Sequence, residues 1–264
     1  MPARCGRIAF TGPGTMIVVS TSDGDRTWTD NFEGPAGHPP DPAVWTHELG
    51  AGGWGCEQRQ HYTNSSSNVA LTGDGHLAIT ARQEADGRIT SARIITKQRV
   101  TARYGSIEAR IKVPAQAGAW PAFWMLGHDI DEGGWPGCGE IDVMENVAVD
   151  PTRVHGTLHG PGYSGLDGGI GRALDFGQPL ADDFHRYAVL WSPMKIQWIF
   201  DDQPYHQLAP TDVPGPWPFD HNFYLLLNLA VGGAWPGNAN TTPVLPTTML
   251  IDWVTVTSPE LTTP

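Results

Sequence analysis

Tyr104-Gly-Ser-Ile-Glu-Ala-Arg-Ile-Lys-Val113 alternates Ser106, Glu108, Arg110 and Lys112 with Ile107, Ala109, Ile111 and Val113. Successive side chains of a strand point to opposite faces, so this run reads as a strand with one wet and one buried side. The same texture recurs along the chain. Residues 76–82, 92–97, 121–126, 140–145, 154–159, 188–191, 196–201, 223–231 and 249–256 are further candidates. Turn signals such as Gly73-Asp74-Gly75 and Asp201-Asp202-Gln203-Pro204 separate them. No convincing amphipathic helix interrupts the series, which argues for an all-β sandwich or barrel. Such folds often fill a length like the 264 residues here as one domain. Residues 28–264 read as that domain, and the less patterned residues 1–27 as an N-terminal extension.

Composition narrows the function. The formal net charge is −12, with no cluster of Lys or Arg, which speaks against nucleic acid or an anionic membrane as partner. A hydrophobic content of 40% is too high for a disordered chain. No run approaches the ~18–20 apolar residues of a membrane span. The 32 Gly and 23 Pro suit a turn-rich fold. Eleven Trp outnumber the 8 Phe and 6 Tyr, which implies a large core or a flat stacking surface. Cys5, Cys56 and Cys138 form no disulfide framework and no C-x-x-C pair. The start has Arg4 and Arg7 but only a four-residue aliphatic run, 16–19, short of the ~7–15 residues of a secretory core.

The segment richest in chemistry is Gly139-Glu140-Ile141-Asp142-Val143-Met144-Glu145-Asn146. In a strand, Glu140 and Asp142 share one face and Ile141 and Val143 the other. Strict alternation sends Glu145 to the wrong side. One extra residue, a bulge around Val143-Met144, returns it to the face of the other two acids. Crowded carboxylates resist ionising together, so at least one should hold a proton near neutral pH. Glycoside hydrolysis needs one ionised and one protonated carboxyl flanking the scissile bond. An edge strand with solvated acids is the competing explanation, and it accounts poorly for three acids in a Trp- and Gly-rich neighbourhood.

This segment resembles the active-site signature of glycoside hydrolase family 16, in its laminarinase (endo-1,3-β-glucanase) branch. Trp120-Pro-Ala-Phe-Trp-Met125, Val154-His-Gly-Thr-Leu-His-Gly-Pro161, Asp183-Phe-His-Arg-Tyr187 and Leu227-Asn-Leu-Ala-Val-Gly-Gly233 resemble that branch too, in its order and spacing. The resemblance implies a β-jelly-roll sandwich of two antiparallel sheets with an open concave cleft. It implies a retaining endo-β-1,3-glucanase, with Glu140 the nucleophile, Glu145 the general acid/base and Asp142 the assisting carboxylate. Met144 matches the bulged form of the signature, which lichenases usually lack. Mixed-linkage β-1,3-1,4-glucanase, β-galactanase and a non-catalytic glucan-binding protein are the alternatives; the presence of all three acids speaks against the last.

By the same resemblance, Trp120, Trp124 and Trp235 are candidate sugar platforms. Arg93, His159, Gln60, Tyr62 and Asn228 are candidate substrate contacts. His155, Thr157 and His159 share one face of the strand after the acids. The loop Gly53-Trp-Gly-Cys-Glu-Gln-Arg-Gln-His-Tyr62 departs from the family pattern, with Cys56 for Asn and Gln58 for Glu. Glu57 is an alternative for the latter by a one-residue shift. Family members often bind one Ca²⁺ away from the cleft; Glu33, Gly75 and Asp252 match its ligand positions, and oxygen donors suit that ion. No cofactor is expected for catalysis. The implied partner is a β-glucan polysaccharide. A monomer is expected, and an extracellular location follows from a polymeric substrate.

Overall fold

The computed structural model describes residues 24–52, 56–166, 168–235 and 242–264. Most of the extension 1–27 therefore lies outside the described residues. Its end does not: Arg26–Asp30 is a strand whose Arg26 and Thr27 pair with Ser258 and Thr257. The domain thus starts at least two residues before position 28, because the edge of the C-terminal strand accepts this partner.

The described strands form two sheets. The first runs in the order Gln203–Leu208, Lys195–Phe200, His185–Ser192, Gly105–Lys112, Thr247–Ser258, Leu77–Gln83, Ile89–Ser91 and His61–Tyr62. The second runs Ile170–Asp175, Arg153–His159, Glu140–Glu145, Ala119–Gly127, Phe223–Val231, Arg93–Ile95 and Thr46–His47. Pairing is antiparallel apart from the short contact of His61–Tyr62 with Ile89–Ser91. The α-helix among the described residues is one turn, Ile130–Gly133. This is the expected jelly-roll sandwich.

The alternation in Gly105–Lys112 is realised, with Ile107, Ala109 and Ile111 fully buried. The strand starts one residue later than the pattern suggests, since Tyr104 has a φ of 66°. Gly105 follows because a Cβ there would stand 2.0 Å from the Thr257 carbonyl oxygen. Phe223–Val231 is buried along its whole length. Its odd-numbered residues Phe223 to Val231 enter the core between the sheets. Tyr224 and Leu226 pack instead in a smaller cluster beneath the cleft.

Trp198 ties the two sheets together. It is fully buried on the first sheet and donates its indole N–H to the Asp142 carbonyl oxygen of the second, at 2.7 Å. The close approach needs Gly156, where a Cβ would sit 2.3 Å from Trp198 Cδ1. A core indole thereby fixes the backbone of the acid-bearing strand from behind.

Candidate active site

The bulge in Glu140–Glu145 is present. On one side, Leu126 faces Glu140, Trp124 faces Asp142, Phe123 faces Met144 and Ala122 faces Glu145, with Val143 the residue left over. On the other side, His159 faces Glu140, Thr157 faces Asp142 and His155 faces Glu145. Ile141, Val143 and Met144 are buried in the core. The three acids are thereby delivered to the opposite face, where they line an open cavity of about 620 Å³.

Each acid has a distinct partner. Trp135 Nε1 donates to Glu140 Oε2 at 2.5 Å. His159 Nε2 lies 3.1 Å from Asp142 Oδ2. Trp120 Nε1 donates to Glu145 Oε1 at 3.0 Å. No Lys or Arg forms an ion pair with any of the three among the described residues.

Burial therefore dominates their titration. It pushes the Glu140 carboxyl up to about 8, with the Asp142 charge adding to the rise and His159 and Trp135 opposing it. Asp142 is raised by burial, against the lowering effect of its hydrogen bond with Glu140. Glu145 is raised well above the usual carboxylate range, by burial first and by the Asp142 charge second. Glu140 and Asp142, hydrogen-bonded to each other, can share a proton, while burial favours the protonated form of Glu145. One ionised and one protonated carboxyl on the same cleft face can attack an anomeric carbon and protonate a leaving oxygen.

The other candidates divide. Trp124, Trp235, Arg93, His159 and Asn228 line the cavity. Trp124 is held from two directions: its N–H reaches Asn228 Oδ1 at 2.7 Å, and the Arg93 guanidinium carbon sits 4.6 Å from its ring centre. Arg93 is itself ion-paired with Glu48. Trp235 packs edge-on against Trp120 and His155, with ring centres 5.1 and 5.0 Å away.

Three expectations need correction. Trp120 lines the cavity but is only 5% exposed, so it serves Glu145 through its N–H more than it offers a flat face. Gln60 and Tyr62 are buried behind the cavity wall. Gln60 accepts from the Val231 N–H at 2.8 Å and donates to Gln58 Oε1 at 2.8 Å. Tyr62 donates to Gln58 Oε1 at 3.3 Å and accepts from Asn228 at 3.2 Å. Both are anchors for groups in the cleft. Their contacts arise from residues far along the chain, which no local pattern displays.

Among the described residues of that loop, Gln58 and Cys56 reach the cavity, whereas Glu57 is exposed and outside it. The one-residue shift is therefore not adopted. Gly53, Trp54 and Gly55 lie outside the described residues. Cys56 and Cys138 are free thiols. Trp135 and Arg172 also line the cavity without having been expected to. Trp135 immediately precedes Pro136 and lies five residues before Glu140, a proximity that offered some signal. Arg172, in a Gly-rich stretch, offered none.

The model of glycosyl hydrolases family 16 matches residues 56–255. The chain belongs to that family. It is 39% identical to a β-glucanase of Rhodothermus marinus, over 88% of this chain and 84% of that protein. Among solved structures, this family 16 hydrolase is similar to the laminarinase catalytic domain of Thermotoga maritima MSB8. That match has 39% identity and a TM-score of 0.80 and covers 88% of this chain and 96% of the other. It is likewise similar to the endo-β-1,3-glucanase of Pyrococcus furiosus, with 39% identity, a TM-score of 0.79 and coverage of 90% and 94%.

Of the residues matched to calcium, Glu33 follows the strand Arg26–Asp30, Gly75 lies in the turn before Leu77–Gln83, and Asp252 is within Thr247–Ser258 of the first sheet. A Cβ on Gly75 would stand 3.6 Å from Glu33 Oε1, so these two are neighbours. Asp252 accepts a hydrogen bond from Arg110 at 2.5 Å through Oδ2. The carboxylates of Glu33 and Asp252 are hard oxygen donors of the kind that Ca²⁺ takes.

Proposed function

We propose that this family 16 hydrolase cleaves internal β-1,3 bonds of laminarin-type glucans by double displacement. The carrying observation is the set of three buried carboxyls on one face of a bulged strand, in an open cleft. The Glu140 carboxylate attacks the anomeric carbon as the bond to the leaving sugar oxygen breaks, and Glu145 gives that oxygen its proton. Glu145, now ionised, takes a proton from water. The resulting hydroxide oxygen displaces Glu140 from the same carbon, so the configuration is retained. Asp142 holds the shared proton while Glu140 is charged. Trp124 and Trp235 pack against the C–H faces of sugar rings.

A cleft open at the surface admits the interior of a polymer, which supports an endo-acting enzyme working outside the cell. Laminarin and curdlan should be cut into a spread of oligosaccharides, lichenan more slowly and agarose not at all. Product sizing on that panel checks the linkage, and preferential cleavage of agarose or lichenan would reassign it. Proton NMR of the first products should show the β-anomer before mutarotation; an initial α-anomer would refute the double displacement.

Glu33, Gly75 and Asp252 are proposed to hold a structural Ca²⁺ on the same reading. Calcium that binds only the folded chain adds stability by mass action. EDTA should therefore lower the melting temperature of wild type by several degrees, and Ca²⁺ should restore it. The D252N variant should melt at the lower temperature with or without EDTA. A melting curve of wild type indifferent to EDTA and Ca²⁺ removes the metal from the account.

A further inference from the structure

Among the described residues, Glu140, Asp142 and His159 each bring one donor atom to within 4.8 Å of the other two. Asp142 lines the cavity and is 2% exposed, yet its Oδ2 accepts no hydrogen bond among those residues. The His159 Nε2 that stands 3.1 Å away misses hydrogen-bond geometry. A buried carboxylate oxygen without a donor is costly, and a cation relieves it best.

The backbone holds the three groups in place. Glu140 and Asp142 are two apart on one strand face, and His159 faces Glu140 on the next strand. The Trp198 indole fixes the Asp142 carbonyl from behind. Donors carried on strands keep their spacing better than donors on loops. Two carboxylates and one imidazole make a three-ligand set that suits a zinc-class ion and leaves a fourth position open. Here that position faces the cavity. The imidazole sets the site apart from Ca²⁺ and Mg²⁺, which take oxygen donors. Donors around one Zn²⁺ stand about 3.3 Å apart. Closing the set therefore asks for a shift on the order of 1 Å, within reach of a carboxylate rotation.

We propose that Glu140, Asp142 and His159 form a regulatory site for a divalent transition ion of the zinc class, which switches the enzyme off by occupying the nucleophile. The ion takes one oxygen from each ionised carboxylate and Nε2 of the neutral imidazole, and the proton that the acids shared passes to solvent. A sugar then has no access to Glu140. The binding stands on geometry alone, whereas its effect on hydrolysis rests on Glu140 being the nucleophile.

The probe is Zn²⁺, added to the full chain in excess Ca²⁺ so that any calcium site stays filled. Equilibrium dialysis should find Zn²⁺ bound to wild type. H159A should weaken that binding more than about 100-fold, beyond the ~10- to 100-fold cost of losing a residue that merely supports a ligand. D142N keeps the shape of its side chain and should weaken it likewise, so the outcome does not hang on one variant folding. On laminarin, Zn²⁺ should raise the apparent KM and leave kcat unchanged, and the calcium complex of EDTA should reverse this. The thiol of Cys56 also lines the cavity and is the rival ligand; C56S should respond to Zn²⁺ as wild type does. Zn²⁺ binding that H159A and D142N leave intact, or that C56S abolishes, would overturn the site. Zn²⁺ held by His159 with hydrolysis unaffected would overturn the switch. Hydrolysis that survives in E140Q would sink the assignment of the nucleophile and leave the metal site standing.

Discussion

E140Q and E145Q are each expected to stop the release of reducing sugar from laminarin while leaving laminarin binding in place. Glutamine keeps the shape of the side chain and removes the ionisable proton. E145Q cannot protonate the leaving oxygen or activate water, which should cost on the order of 10²–10⁴ in kcat. E140Q cannot form the glycosyl-enzyme at all, and its loss should be larger, on the order of 10⁴–10⁶. Affinity electrophoresis in laminarin gels measures the binding, and undiminished hydrolysis by both variants would sink the assignment. Stability gives an independent sign. Burial raises the carboxyl pKa of Glu145 in the folded protein. The contribution of that carboxyl to stability is therefore complete below the unfolded-state pKa and lost as pH rises through the folded value. E145Q should then melt above wild type at alkaline pH, with a margin that shrinks as pH falls. A variant that is inactive yet melts higher cannot owe its inactivity to misfolding.

D142N should lower kcat by about 10- to 100-fold and shift the acid limb of the pH profile downward. Asparagine cannot take the proton that the pair shares, so one route to a charged nucleophile is lost. Glu140 is raised first by burial and second by the charge of Asp142. Removing the second influence lowers its pKa, so Glu140 stays ionised to more acidic pH. The limb that reports protonation of the nucleophile therefore moves to lower pH. An acid limb that stays in place, or moves up, in kcat/KM of D142N would show that Asp142 does not tune Glu140.

The alternation of Ser106 to Val113 and the apolar run 223–231 were enough to name strands, because side-chain period is a local property of the backbone. The three acids were legible for the same reason. Glu140, Asp142 and Glu145 can share a face only with one extra residue between them, and the structure supplies it at Val143. The roles of polar residues along the cleft were not legible in this way. Gln60 and Tyr62 carry the same donors whether they face sugar or protein. Their partners Val231 and Asn228 lie 171 and 166 residues away, a separation that periodicity does not register.

The sequence by itself determined the fold class, the candidate catalytic acids and the bulge that aligns them, since each depends on neighbours within a few residues. Only the tertiary structure decided which tryptophan does what. Trp198 is a core tie to the Asp142 backbone, Trp120 is a donor to Glu145, and Trp135, outside every strand pattern, holds Glu140. An indole has one N–H and one ring, and whether either meets core, acid or substrate is settled by elements that come together only when the two sheets pack.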